Sequence, residues 1–154
     1  MNFCFAADRT LGRLAKWLRL MGFDTIYESD ISSGWFYDHL DARRVLLTRT
    51  GKIRNRFAGR RLVFIEADQL FEQLAQVIDE LAITAKDIRP FSRCIECNTP
   101  IIDIAKETVY GLVPDYIWES HEKFSMCRQC RRIFWRGSHT ERAMDRIKGL
   151  FDSK

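Results

Sequence analysis

Apolar residues keep two rhythms along the first part of this chain: short unbroken runs, and stretches in which they recur every three or four places. Residues 3–7 form a short apolar run of strand character. Behind them Leu11, Leu14, Leu18 and Met21 follow helical spacing up to Gly22, a residue suited to close a helix. The same reading predicts strands at 24–27, 45–48 and 62–65, a short helix over 36–43, and a helix over 68–81 carried by Leu70, Leu74, Val77, Ile78 and Leu81. Strands that alternate with helices predict an α/β fold, a mostly parallel sheet with flanking helices. Ligands of such sheets bind where strands end, which draws attention to Asp8, to the stretch 48–50, and to Glu66 and Asp68. Beyond Pro90 the pattern changes to short β-branched segments at 101–110, 123–126 and 133–135, consistent with hairpins, followed by a helix over 140–151.

Cysteines explain the change. Cys94 and Cys97 form one CxxC pair and Cys127 and Cys130 a second, with 29 residues between them. Zinc takes four thiolates tetrahedrally, and a gap of two residues lets one tight turn present both sulfurs of a pair. A closed shell of four leaves no position for substrate, so the ion is expected to be structural, in a small C-terminal zinc ribbon. A redox dithiol ordinarily stands alone, and the absence of an apolar leader predicts a cytoplasmic protein in which structural disulfides are rare. Cys4, inside the run FCFAA, reads as a buried core thiol. The expected division is an α/β body at 1–90 and a ribbon with its C-terminal helix at 91–154, joined near 89–92. No apolar stretch approaches the roughly 20 residues that span a bilayer, so no membrane association is expected.

The net charge of +4 is modest, but its distribution is not. Eight basic residues and no acidic one lie between Arg43 and Arg61, and a second group runs from Arg128 to Lys148. Aromatic residues sit within both: Phe57 in the first, Phe134 and Trp135 in the second. Phosphates are met by the charge and bases by the rings, so nucleic acid is the expected partner. Arg49, Lys52, Arg54 and Arg56 are the candidate contacts in the first group, Arg132, Arg136 and His139 in the second, and Arg9 and Arg13 extend the path along the first helix.

The segments FAADRTLGRLAKWLRLMGFDT, VLLTRT, DQLFEQLAQV, SRCIECN and FSMCRQCRRIFWRGSH occur in one order through nearly the whole chain. Together they resemble the Mut-seven C-terminal RNase domain family. The resemblance implies a PIN-like nuclease fold joined to a zinc ribbon, RNA as substrate, and acidic residues at strand ends that hold Mg²⁺ or Mn²⁺. Asp8 matches the family's leading acid. At position 50 the family's turn normally carries aspartate, and here Thr50 offers a neutral hydroxyl that cannot supply the charge a hard cation needs. Asp30 and Asp68 are the candidate further acids. Three functions follow: a metal-dependent endoribonuclease with a reduced acidic centre, an RNA-binding protein that does not cut, or an adaptor whose ribbon docks on a protein partner.

Overall fold

The computed structural model describes residues 2–31 and 34–152. Strand β3, Val45–Thr48, is buried at all four positions, which requires a sheet covered on both faces. Its partners are β1 (Cys4–Ala7), β2 (Asp24–Tyr27) and β4 (Leu62–Phe64), in the spatial order β2-β1-β3-β4 and all parallel. Alternation along the strands divides the core. Phe5, Ala7, Val45, Leu47 and Val63 face helix α1 (Gly12–Leu20) and helix α4 (Leu70–Glu80). Ala6 and Leu46 face the other way, onto Phe36 of the short helix α2 (Trp35–Asp38) and onto Ile53 of helix α3 (Gly51–Arg56).

The chain leaves β1 through α1 on one face and reaches β2 on one side, then crosses by α2 on the opposite face to β3 on the other side of β1. The carboxyl ends of β1 and β3 therefore flank the point where connections diverge, the usual crevice of an open α/β sheet.

A second, antiparallel sheet is formed by β5 (Ile102–Ile104), β6 (Phe124–Met126) and β7 (Ile133–Phe134). Helix α5 (Asp115–Ser120), through Trp118, and the segment before it, through Val109 and Val113, pack with Phe124 of this sheet. Helix α6 (Ser138–Gly149) then returns to the parallel sheet: Ile147 is fully buried in the core beside α1 and α4, and Leu150 and Phe151 pack against it.

The two sheets are fastened at the end of α1. Arg89 N donates to Met21 O at 2.8 Å and Phe91 N to Leu20 O at 2.9 Å. Gly22 has φ +97°, and a Cβ there would lie 2.3 Å from Arg89 O, so close passage of two backbones demands glycine. Arg19, 3% exposed, donates to Thr25 O, Ile95 O and Glu96 O. The Asn98 side chain accepts from Thr25 N at 2.9 Å and donates to Asp24 Oδ1 at 2.7 Å, which covers the free edge of β2.

Several boundaries differ from the sequence pattern. The helix expected over 36–43 ends at Asp38, because the Asp41 carboxylate captures Arg43 N at 2.8 Å and turns the chain. In place of the hairpin expected over 101–110, only three residues pair, and Lys106–Val109 forms a 3-10 turn. Strand β7 stops at Phe134, and α6 begins at Ser138 rather than 140. Helices α3 and α5 have no counterpart in the expectation, since each is six residues long and too short to display a period.

Candidate functional site at the carboxyl ends of the strands

Asp8 follows β1 directly and is 1% exposed. Its backbone N donates to Leu47 O at 3.0 Å, which continues the pairing of β1 with β3 by one residue. The side chain accepts four hydrogen bonds. Oδ1 takes Thr10 N at 2.8 Å and Thr10 Oγ1 at 2.5 Å; Oδ2 takes Thr48 Oγ1 at 2.6 Å and Arg49 N at 2.9 Å. An ionised carboxylate offers about four lone-pair sites. All of them are used, so Asp8 serves as a strut that ties the loop after β1 to the loop after β3.

Arg49 connects the next carboxylate. Its guanidinium pairs with Asp68, which is 83% exposed, while its backbone N holds Asp8. These residues border a cavity of about 150 Å³ with Thr10, Arg13 and Gln73. Asp68 is not the cap of α4; Gln69 occupies that place, and the Asp68 side chain turns to Arg49. Thr50 stands at the N-cap of α3 without a side-chain capping bond, and its N donates to Thr48 Oγ1 at 3.0 Å. Asp30 is not brought to this group. It pairs with Arg19 at 2.9 Å, and the other donors of Arg19 reach Thr25 and the first cysteine turn.

An acid missing from the sequence expectation lies beside Asp8. Register pairs Ala7 with Tyr27, so Glu28 emerges from β2 as Asp8 emerges from β1. Glu28 Oε2 accepts from Arg9 N and from Tyr37 Oη, both at 2.8 Å. Burial, the hydrogen bond to Glu28 and the charges of Glu28 and Asp8 push the Tyr37 phenol far above its ordinary range, so it stays a donor. The signal was available: the strand-end rule applied to β1, β3 and β4 extends to β2.

The basic residues fall into two groups. Arg9, Arg13, Arg49 and Lys52 surround the carboxyl-end crevice, and all four are exposed. Arg54 and Arg56 continue down α3, with Arg54 over the Phe64 ring at 4.2 Å and Arg56 near Asp38 at 3.3 Å. Arg132, Arg136 and His139 lie with the antiparallel sheet and α6, remote in the chain from the crevice; Arg132 is 3.7 Å from Glu96.

The four cysteines converge, with ligand atoms within 4.8 Å of one another. Each pair turns in the same way. Asn98 N donates to Cys94 O and Arg131 N to Cys127 O, and both Asn98 (φ 63°) and Arg131 (φ 66°) take the left-handed conformation. Cys97 N also donates to Cys94 Sγ at 3.4 Å. Burial and the neighbouring thiols push Cys97 up to about 12. At Cys127 burial acts upward too, but N–H donors of Cys130 and Gln129 and the adjacent thiols outweigh it and bring the group down to about 7. Four sulfurs at this separation, with N–H groups aimed at them, suit a metal ion such as zinc, held by all four and supplying structure.

A hard-cation site of oxygen ligands does not fit the acids in the same way. Among the described residues the four cysteines are the only grouping of three or more His, Cys, Asp or Glu side chains near enough to share an ion. Asp8 has no free lone pair, Asp30 and Asp68 are paired with arginines, and Thr50 is neutral. No described helix is long and apolar enough to cross a membrane. The family model of the Mut7-C RNAse domain matches residues 4–147, nearly the whole chain. No curated protein matches it.

Proposed function

We propose, from the premise that this chain belongs to the Mut7-C RNAse domain family, that it engages RNA at the crevice between β1 and β3 and does so without divalent-metal cleavage at Asp8. The crevice supplies cations on its rim, Arg9, Arg13 and Lys52, where a phosphate backbone can lie. The observation that carries the reading is the saturation of Asp8 by four donors. A carboxylate that binds Mg²⁺ or Mn²⁺ must turn a lone pair to the ion, and here that would release buried donors of Thr10, Thr48 or Arg49. Zinc in the four-cysteine site, and a reducing compartment such as the cytoplasm, accord with the unpaired thiols.

End-labelled single-stranded RNA incubated with the zinc-loaded protein tests the proposal. The expected result is retarded, uncut RNA, equal in Mn²⁺ and EDTA, with affinity that falls steeply as salt rises. Changing Lys52→Gln should flatten the salt dependence by about 0.7 in log–log slope. Cleavage that needs a divalent ion, is lost in Asp8→Ala and rises in Thr50→Asp would establish the endoribonuclease reading instead. A partner captured through the ribbon that survives RNA digestion would favour the adaptor.

A further inference from the structure

At the opposite end of α1 from the crevice lies a much larger cavity, about 930 Å³, between Leu20, the antiparallel sheet and α6. Its walls are mostly ring and alkyl surface, with Phe91, Phe134 and Trp135 prominent. Several of the polar groups that line it are donors or cations with no protein partner among the described residues. Arg93 Nε is fully buried with no hydrogen-bond partner. Among the described residues, the Trp135 indole N–H, the Lys123 ammonium and the His139 ring likewise have none. The Arg136 guanidinium stands over the Phe91 ring at 5.3 Å and has no ion pair among the described residues. His121 Nδ1 lies 3.1 Å from Ile117 O and 2.9 Å from Ser120 Oγ.

Two acids also stand on the rim: Asp103 accepts from Ser125 Oγ at 3.1 Å, and Glu122 pairs with Lys106 at 3.1 Å. Exposed cations beside aromatic walls suit a ligand that is anionic, rich in acceptors and flat. A nucleotide has those properties: phosphate oxygens for Arg136, Lys123 and His139, and a base whose face can lie against Trp135. In a duplex the base faces are stacked and cannot enter; in a single strand they are free.

We infer that this cleft is a second RNA site that seats an unpaired nucleotide of a single strand, its base against Trp135 and its phosphate on Arg136 and Lys123. The inference rests on the RNA reading above and adds to it a preference for unpaired strand. Helix α1, nine residues long, separates the crevice at Thr10–Leu14 from the cleft at Leu20 by about 12 Å along its axis. A strand that reaches both sites binds more tightly than either site alone would allow.

The test is anisotropy titration of a fluorescein-labelled oligouridylate 12-mer and of a blunt RNA duplex with the zinc-loaded full chain. Wild type is compared with Trp135→Ala, Arg136→Gln and Lys123→Gln, and with Lys52→Gln at the crevice. Expected is single strand bound more tightly than duplex, with Trp135→Ala and Arg136→Gln each weakening the 12-mer at least fivefold and leaving the duplex within twofold. Arg136 and Lys123 are exposed, so their variants report even if Trp135→Ala does not fold. Should Lys52→Gln weaken the 12-mer while Arg136→Gln and Lys123→Gln leave it unchanged, the cleft is no RNA site and the crevice reading stands. Absence of any binding to the wild type would overturn both. Displacement of the 12-mer by equimolar 5′-UMP would identify a site for free nucleotide and overturn the strand proposal.

Discussion

Asp8 sets the character of the crevice at the scale of a single residue. A carboxylate kept for metal binding is held against electrostatic cost, and its removal commonly leaves the fold as stable or more so. A strut behaves oppositely. Asp8→Ala leaves two backbone N–H groups and the Thr48 hydroxyl without an acceptor, and is expected to cost about 3 kcal/mol or more in urea unfolding. Thr48→Val removes one of those bonds and the acceptor of Thr50 N, and should cost about 1–3 kcal/mol. A stabilising Asp8→Ala would contradict the strut. Asp24 makes a separate prediction. Burial pushes its carboxyl up, but donation from Arg44 and Asn98 outweighs that and holds it below its ordinary value of 3.8. A depressed folded-state value adds stability that is fully present above the unfolded value and is lost as pH falls through the folded one. The difference in unfolding free energy between wild type and Asp24→Asn should therefore be constant above pH about 5 and shrink below about 4.

Elements meet at a few enforced contacts, and Gly22 is the clearest. Helix α1 must end where residues 89–91 cross it, and the crossing leaves no room for a side chain. Gly22→Ala combines a positive φ with a clash against backbone and should cost more than about 2 kcal/mol, read from the shift in denaturation midpoint at unchanged m-value. Pro90 suggested a joint from composition; in the structure the residues on either side of it, Arg89 and Phe91, hydrogen-bond to the end of α1. Helix α3 illustrates the other side of legibility. Its basic residues are evident in the sequence, but only Ile53 and the following Phe57 face inward, and two apolar positions do not announce a helix.

Over the whole molecule, the metal site and the parallel sheet are coupled. Arg19 and Asn98 hold the first cysteine turn to β2, and Ile147 of α6 completes the core on the far side of the ribbon in sequence. We propose that the division between 1–90 and 91–154 is one of sheets, with the core shared across it. Removing the ion with a chelator should then lower the thermal midpoint of the entire chain in one transition, by circular dichroism, and restoring zinc should return it. Two independent transitions, with the parallel sheet unaffected, would refute the coupling.

The sequence by itself determined what depends on local chemistry and period. Alternating rhythms gave the four parallel strands and the helices α1 and α4, and two CxxC pairs gave the sulfur site, because the turn that presents two thiols to one ion is built within a few neighbouring residues. It also carried the family resemblance on which the RNA reading stands. Only the tertiary structure decided which carboxylates meet. Asp8, Asp30 and Asp68 look alike as candidate acids, yet one is saturated by four donors, one is drawn to Arg19 and one to Arg49. Glu28 became Asp8's neighbour through strand register, and the cations and rings of the ribbon cleft came together from segments more than forty residues apart, from Arg93 to His139. Separation along a chain does not fix distance in space, and hydrogen-bond capacity is settled by which donors the fold delivers.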